Sequence, residues 1–288
     1  MWAIVVNPTA GQGRATILAT EVVNFFASRK FEYQVLTATS AADLRRDLER
    51  FLSTHTCSGI ISVGGDGLAH LVLQAAVPHH VPFAIMPAGT GNDIVRTLGW
   101  SLDDIGQYLE KVTTTKPQSI DLGNVDSEWF AAILSTGFDS VVNERANRLS
   151  WPKGPQRYNV AIALELPKFK PLEYEITTDT QTFTTEAMLI AVGNGKSYGG
   201  GMYVCPQANL NDGLFDVMVL EPVSKVEFLK VFPKVYSGSH LSHPRVKMLR
   251  TKRISITANA VAYADGERIG PAPISAECVS AAGLTWML

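Results

Sequence analysis

The chain has 288 residues, of which 46% are hydrophobic and 18% charged, enough for the core of two domains or of one large domain. Its formal net charge of −2 argues against bulk nucleic-acid binding, and no apolar run approaches the roughly 20 residues that cross a bilayer. The three cysteines lack CxxC spacing and the chain starts without a signal peptide, so we expect a soluble cytoplasmic protein that can visit the inner face of a membrane.

Strands and helices alternate over residues 1–122. The continuous apolar run Trp2–Val6 predicts a strand buried on both faces, and apolar residues at helical spacing predict the helix Arg14–Ser28. Further strands are predicted at Phe31–Thr37, Gly59–Val63 and Phe83–Met86, and further helices from Ser40, over Leu68–Ala76, and from about Asn92 and Asp103. This order predicts an α/β domain with an open, Rossmann-like parallel sheet, which binds ligands at the carboxyl ends of its strands.

Residues 123–282 contain mostly short strands separated by turns. The predicted strands are Trp129–Ser135, Tyr174–Thr178, Ala187–Val192, Leu214–Leu220, Ile254–Thr257, Val261–Ala264 and Ile274–Val279, and the predicted helices are Asp139–Leu149, Gln156–Leu166 and Lys225–Phe232. This pattern predicts an all-β second domain, an antiparallel β-sandwich or barrel. The apolar end of the chain could pack on either domain, and the segment 283–288 can return to the first.

Three glycine-bearing segments each follow a predicted strand: Asn7–Gly11, Gly64–Gly67 and Pro87–Asp93. Each offers bare backbone N–H groups where a helix is about to begin, an arrangement that holds a polyphosphate. Two of them also contain a carboxylate, Asp66 and Asp93, as a phosphoryl-transfer site needs in order to hold Mg²⁺.

Each segment also has a purely structural explanation. Gly64–Gly67 could be a tight turn, Asn7-Pro8 could end a strand, and Asn92 or Thr90 could cap the following helix. We favour the phosphate interpretation because all three segments fall at strand ends of one predicted sheet.

The segment Asp265-Gly266-Glu267 has two interpretations as well. Asp-Gly alone suffices for a hairpin turn after Val261–Ala264. Phosphoryl transfer to an alcohol, however, needs a carboxylate that accepts the hydroxyl proton. The aspartates of the first domain are committed to metal, so we expect the second domain to supply this base.

Taken together, these motifs resemble the diacylglycerol kinase catalytic family, which includes sphingosine and ceramide kinases and soluble bacterial lipid kinases. The resemblance covers essentially the whole chain and is closest to the soluble bacterial members. Besides the segments above, it rests on Asn92–Gly99, Gly193-Asn194-Gly195, Gly199–Met202 with Pro206, and Asn211–Val217, all in family order.

The resemblance implies roles for individual residues. Those at the nucleotide are Asn7, Thr9, Gly11, Thr39, Gly64, Gly65, Asp66, Gly67, Gly89, Thr90 and Asn92. Asp66, Asp93 and Asp121 resemble an aspartate set that organises Mg²⁺, and Asn209, Asp212 and Leu214 resemble a separate structural cation site with one carboxylate and two carbonyl ligands. Asp265 and Glu267 match the family's catalytic acidic pair.

The implied activity is that of an ATP- and Mg²⁺-dependent lipid kinase that phosphorylates a neutral lipid at the membrane surface, with diacylglycerol as the expected substrate. Leu68 stands where bacterial members have Thr, and Ala69-His70 replace an Asn-Glu pair, so a hydroxyl and a carboxylate near the phosphates are lost. The alternatives are a sphingosine- or ceramide-type kinase, the more distant NAD kinase, and a non-catalytic nucleotide-binding regulator. A homodimer is possible.

Four basic residues surround an aromatic one in the second domain. Arg145, Arg148, Lys153 and Arg157 lie near Trp151 and could hold anionic lipid headgroups. A solvated helix face explains them equally well.

Overall fold

The computed structural model describes residues 1–100, 104–151 and 156–287. The chain divides into two compact units, Met1–Leu122 with Ser280–Leu288, and Gly123–Val279. It therefore passes from one unit to the other twice. The helix start predicted at Asp103 and the basic residue Lys153 lie outside the described residues.

The first unit alternates strands and helices. Its elements are β1 (Trp2–Val6), α1 (Arg14–Ser28), β2 (Tyr33–Leu36), α2 (Ala41–Thr54), β3 (Gly59–Gly64), α3 (Asp66–Ala76), β4 (Phe83–Pro87), α4 (Asp93–Thr97), α5 (Ile105–Thr114) and β5 (Gln118–Val125), whose last three residues belong to the second unit.

The sheet of the first unit is parallel, in the order β2-β1-β3-β4. Every residue of β1, β3 and β4 is buried, as the continuous apolar runs predict for strands covered on both faces. The helix α1 buries one stripe, Ala15, Leu18, Val22 and Phe26, at helical spacing. This unit confirms the predicted Rossmann-like α/β fold.

The second unit is rich in antiparallel strands. Its elements are β6 (Glu128–Phe130), β7 (Ile133–Gly137), α6 (Phe138–Arg148), α7 (Gln156–Glu165), β8 (Leu172–Thr178), β9 (Thr182–Ala187), β10 (Leu189–Gly193), β11 (Phe215–Leu220), α8 (Lys225–Val231), β12 (Val246–Thr251), β13 (Arg253–Ala258), β14 (Val261–Ala264), β15 (Glu267–Pro271) and β16 (Ile274–Thr285), which runs on into the first unit.

Two layers form this unit. One sheet has the order β12-β11-β10-β7-β14-β15, and the other contains β16, β13, β8 and β9, with β5 and β6 paired beside them. A core that includes Phe130, Tyr174 and Phe215 fills the space between the layers. A second cluster, to which Phe138 and Phe228 belong, covers the outer face of the first sheet. The predicted antiparallel sandwich is confirmed. None of the described helices is long and apolar enough to span a membrane.

The strand predicted at Ile274–Val279 is longer than expected, because it continues to Thr285 through a bend at Ala281, whose φ is +54°. Its last residues complete the first unit. Thr285 pairs with Phe83 of β4, and its Oγ1 donates to the Phe83 carbonyl at 2.7 Å. Trp286 stacks on Trp2 at 5.9 Å and donates its indole N–H to the carbonyl of Thr115 at 3.0 Å.

Trp286→Ala should therefore destabilise the protein strongly. Its side chain is only 3% exposed, and emptying such a site costs about 3 to 5 kcal/mol of unfolding free energy. Urea unfolding followed by circular dichroism measures the effect. Trp151→Ala is the matched control, because that tryptophan is 78% exposed. Equal losses in the two variants would show that Trp286 does not belong to this core.

Candidate active site

The three glycine segments meet at one edge of the first unit's sheet. They follow β1, β3 and β4, which are neighbours and run parallel, so their carboxyl ends lie side by side. The backbone joins them directly: Asn7 N–H donates to the Val63 carbonyl at 3.1 Å, and Ala88 N–H donates to the Gly64 carbonyl at 2.7 Å. The predicted proximity of the segments is therefore present in the structure.

Glycine is required where these loops touch. Gly11 has a φ of +60°, and a Cβ there would lie 2.0 Å from the carbonyl oxygen of Ala88. A Cβ on Gly89 would lie 2.8 Å from the Cα of Gly65. The glycine positions thus follow from backbone-to-backbone packing of the loops.

The Asp66 carboxylate connects two of the loops. Its Oδ2 accepts the Asn92 N–H at 2.7 Å, and its Oδ1 accepts the Asp93 N–H at 2.8 Å. Asp66 therefore supplies the side-chain cap of α4 that was expected from Asn92 or Thr90. Asn92 itself adopts a φ of +55° and forms no cap hydrogen bond with its side chain, which donates instead to the Gly89 carbonyl at 3.1 Å.

A second carboxylate stands beside this one. A Cβ on Gly91 would lie 2.6 Å from Asp66 Oδ2 and 3.2 Å from Asp93 Oδ2, so both carboxylates face the same glycine. Burial, followed by the charge of Asp93, raises the pKa of Asp66 to about 6, against the opposing effect of the backbone N–H donors. Asp93 pairs with Arg96 at 3.1 Å.

The third predicted aspartate is held elsewhere. Asp121 is buried and its Oδ1 accepts the N–H of Ala281 at 2.9 Å. In the described ranges, no three His, Cys, Asp or Glu side chains come together as a metal-binding group, so Asp66, Asp93 and Asp121 do not form one cage. The Asp66–Asp93 pair nevertheless fits Mg²⁺, which takes one or two carboxylates and completes its shell with water and phosphate oxygens.

The remaining predicted nucleotide residues lie on the same loops or near them. The side chain of Asn7 accepts the N–H of Thr9 at 3.2 Å and its hydroxyl at 2.8 Å, which closes the loop after β1. Thr39 is exposed in the loop after β2. A Cβ on Gly64 would lie 2.7 Å from the Leu68 side chain, and Leu68 is buried. Packing against Gly64 thus accounts for an apolar residue at position 68.

In the second unit, Asp265 and Gly266 form the two-residue turn between β14 and β15, with φ of +52° and +87°. A hairpin turn needs no buried carboxylate, yet Asp265 is buried and its two oxygens accept the N–H groups of Ala131 and Ala132, each at 2.8 Å. The side chain of Asp265 therefore also fixes the Ala131-Ala132 loop, which is distant in sequence. Glu267 lies at the start of β15 with an exposed side chain.

The Ala131-Ala132 loop is also held from its other side. The Asn194 side chain donates to the Ala131 carbonyl at 2.8 Å, and the N–H groups of Asn194 and Gly195 donate to the Ala132 carbonyl at 3.0 and 2.8 Å. The sequence marks Gly193-Asn194-Gly195 as a motif but does not assign it this function. Only the three-dimensional structure shows that it braces the loop to which Asp265 binds.

At the predicted structural cation site, the side chain of Arg250 already pairs with the carboxylate that was predicted as a ligand. Asp212 Oδ1 accepts the Leu214 N–H at 3.1 Å, and Asp212 Oδ2 pairs with Arg250. The guanidinium of Arg250 also lies 3.5 Å from the buried Asp216. A metal ion at Asn209, Asp212 and Leu214 would compete with this arginine, and the site stays a prediction.

Arg250→Met should expose that competition. Removing the guanidinium leaves Asp216 without its counter-charge, and we expect a loss of about 1 kcal/mol for this partly exposed pair. Millimolar Mg²⁺ should then raise the thermal midpoint of Arg250→Met but not that of the double variant Arg250→Met/Asp212→Asn. Equal responses of the two variants in a thermal-shift titration would show that no cation binds through Asp212.

One buried carboxylate of the second unit was not predicted. Asp139 follows Phe138 in the first turn of α6, and neither of its oxygens makes a hydrogen bond of ordinary geometry within the described part of the chain. Burial raises the pKa of Asp139 to about 6, although the nearby hydroxyls of Ser135 and Tyr198 oppose the shift. The sequence signals this buried carboxylate only by its position, two residues after the end of the buried strand β7.

This pKa makes stability depend on pH. In the unfolded chain the pKa of an aspartate is about 3.9, so the native state holds the proton more tightly, and the resulting stabilisation is lost as the pH rises through about 6. Between pH 5 and pH 8, this titration should lower the free energy of unfolding of the wild type. In Asp139→Asn the decrease over the same range should be about 1 kcal/mol smaller. Urea titrations at both values test this, with Asp47→Asn as control, because the Asp47 side chain lies on the surface of α2 and is 38% exposed. Parallel pH profiles for wild type and Asp139→Asn would contradict it.

The basic residues near Trp151 are largely paired. Arg145 forms an ion pair with Glu165, and Arg148 lies 3.3 Å from Glu144. These pairs favour the interpretation of a solvated helix face over that of an anion-binding patch.

Comparisons with known proteins extend over the whole chain. A family model described as the diacylglycerol kinase catalytic domain matches residues 1–125, and one described as the YegS C-terminal NAD kinase beta sandwich-like domain matches residues 132–284. A diacylglycerol kinase of Mycobacterium tuberculosis is 32% identical over 283 residues, covering 96% of this chain and 91% of its own. A diacylglycerol kinase of Bacillus subtilis is 27% identical, covering 89% and 85%.

Among solved structures, a putative diacylglycerol kinase from Bacillus anthracis superposes with a TM-score of 0.79. The match covers all of this chain and 96% of that one, at 23% sequence identity. This likeness shows that the fold is shared.

Proposed function

Because the chain belongs to the diacylglycerol kinase catalytic family and is a lipid kinase, we propose that it transfers the γ-phosphoryl group of ATP to the hydroxyl of diacylglycerol, giving phosphatidic acid. The observation that carries the proposal is the meeting of three glycine loops and two carboxylates at one edge of a parallel sheet. We further propose that it is a cytoplasmic protein that works at the inner face of the membrane.

The glycine loops would bind the phosphates of ATP. The helix α3 begins at Asp66 without a side-chain cap, so its first backbone N–H groups and its dipole suit an anion. Packing among the loops requires Gly11 and Gly89, and it keeps side chains away from this edge. The proposed nucleotide residues are Asn7, Thr9, Gly11, Thr39, Gly64, Gly65, Asp66, Gly67, Gly89, Thr90 and Asn92.

Asp66 and Asp93 would hold Mg²⁺, which supplies positive charge against the phosphoryl oxygens. With its pKa at about 6, Asp66 is mostly ionised at neutral pH, and its Oδ2, which accepts the Asn92 N–H, keeps a second lone pair for a divalent ion. The role of Asp121 in organising the metal remains part of the proposal, and its bond to Ala281 would fix its carboxylate.

In the reaction, the lipid hydroxyl oxygen forms a bond to the γ-phosphorus, and the bond from that phosphorus to the bridging β–γ oxygen breaks. The hydroxyl proton passes to a carboxylate. We assign this role to Glu267, because its side chain is exposed, whereas both oxygens of Asp265 already accept backbone N–H groups. Asp265 would then position the turn that carries Glu267.

Transfer of radiolabelled phosphate from ATP to a panel of purified lipids tests the proposed function. The panel contains diacylglycerol, sphingosine and ceramide in mixed micelles, each with and without Mg²⁺, and Asp66→Asn serves as the impaired control. We expect labelled phosphatidic acid to be the main product. Labelling of sphingosine or ceramide alone, or equal activity of Asp66→Asn, would refute the assignment.

Glu267→Gln should lower kcat by about 10² to 10⁴ while leaving ATP affinity and the thermal midpoint close to wild type, because it removes a proton acceptor from an exposed position. Asp265→Asn should instead lower the thermal midpoint, because an amide N–H would face a backbone N–H, at a cost of about 1 to 3 kcal/mol. Calorimetry with ATP, steady-state kinetics and thermal unfolding separate these effects. Full turnover in Glu267→Gln with a large loss in a stable Asp265→Asn would reverse the two roles.

A further inference from the structure

The second unit displays an apolar stripe that its fold does not use. The helix α8 continues into a 3₁₀ helix, Phe232–Ser237. Along this segment Val226, Leu229 and Tyr236 are 63%, 56% and 51% exposed, and Pro233 between them is exposed as well. Their spacing of three, four and three residues places them on one helical face. We call these four residues the 226–236 stripe.

The opposite face of the same segment is the one that packs. Phe228 and Val231 are buried, and the ring of Phe228 contacts that of Phe138 at 5.0 Å and that of Phe232 at 5.8 Å. The segment is therefore anchored in the core of the second unit by one side. The stripe on its other side adds apolar surface that packing does not explain.

Positive charge flanks the stripe. Lys230 and Lys234 are exposed, and no ion pair reaches either of them within the ranges that the structure describes. The neighbouring carboxylates contact other groups: Glu227 lies 3.1 Å from the ring of His243 and accepts the N–H of Ser224, and Glu221 lies 3.5 Å from Arg245. The surface thus combines exposed apolar side chains with uncompensated lysines.

We propose that the 226–236 stripe docks on an anionic phospholipid bilayer. A short helix lying in the membrane interface with apolar residues inserted and lysines at the headgroups has this combination. A second copy of the chain fits less well, because a symmetric contact through the stripe would bring its lysines toward each other. The proposal deepens the proposed function, on which it rests, since a lipid kinase finds its substrate in a bilayer.

Vesicle co-sedimentation tests the proposal without nucleotide or lipid substrate. The full chain is mixed with vesicles of phosphatidylcholine alone or of phosphatidylcholine with phosphatidylglycerol. We expect binding only to the anionic vesicles, weakened by salt. Leu229→Glu should reduce the apparent affinity at least tenfold, and Lys230→Gln about fivefold.

Ile17→Glu is the matched control, because Ile17 is 64% exposed on α1 of the first unit, and it should bind within twofold of wild type. Thermal unfolding verifies that each variant is folded. Anionic-vesicle binding by Leu229→Glu equal to that of wild type, or equal binding of wild type to neutral vesicles, would overturn the proposal. So would a dimer in sedimentation velocity that Leu229→Glu dissociates while vesicles fail to bind.

A parallel assay separates this proposal from the function on which it rests. Phosphate transfer by the unaltered protein to a short-chain diacylglycerol in solution needs no vesicle. Transfer without binding to anionic vesicles would overturn the docking surface alone. Binding that Leu229→Glu abolishes, without transfer, would support the surface and overturn the kinase assignment.

Discussion

The first unit depends on one carboxylate that accepts backbone amides from a second loop. Asp66 lies at the start of α3, and it binds the N–H groups with which α4 begins. The carboxylate thereby joins the loops that follow β3 and β4 and places Asp93 beside them. Hydrogen bonds to a charged acceptor are among the stronger ones in proteins. Because this carboxylate is largely buried, leaving it without donors would cost more free energy than in water. Substrate phosphates and metal would thus meet loops that are already fixed in position.

The second unit also contains an aspartate that accepts hydrogen bonds from the backbone of another loop. Asp265 offers both oxygens to the backbone of Ala131 and Ala132, and Asn194 holds that loop from its other side. In each unit an aspartate within a glycine-containing motif therefore binds amide groups far away in sequence. Motifs of this kind serve structure and chemistry at once, since the backbone that they fix carries the groups proposed to react. A substitution at either aspartate has to be interpreted through stability before it is interpreted through catalysis.

The sequence predicted those features that depend on local pattern. Alternating strands and helices, followed by short strands with turns, were enough for the fold of both units, and the position of the glycine segments at strand ends placed them on one edge. The contacts that organise the site were not predictable, because they join residues distant in sequence. Asp66 caps a helix that begins 27 residues later, and Arg250 reaches Asp212 across 38 residues. The local pattern suggested Asn92 or Thr90 as the cap, since both are good capping residues, whereas the close approach of Gly65 and Gly89 brings Asp66 there instead.

The course of the chain between the units affects the order in which they can fold during synthesis. The second unit is one continuous stretch, Gly123–Val279, and all of it is synthesised before Thr285 and Trp286. The first unit contains those two residues in its sheet and core, so residues 1–122 lack part of that sheet and core until the end of the chain is made. Domains generally fold in the order in which they emerge. Here the unit that begins first also needs residues from the end of the chain, so the sheet that carries the glycine loops is complete only when translation has passed residue 286.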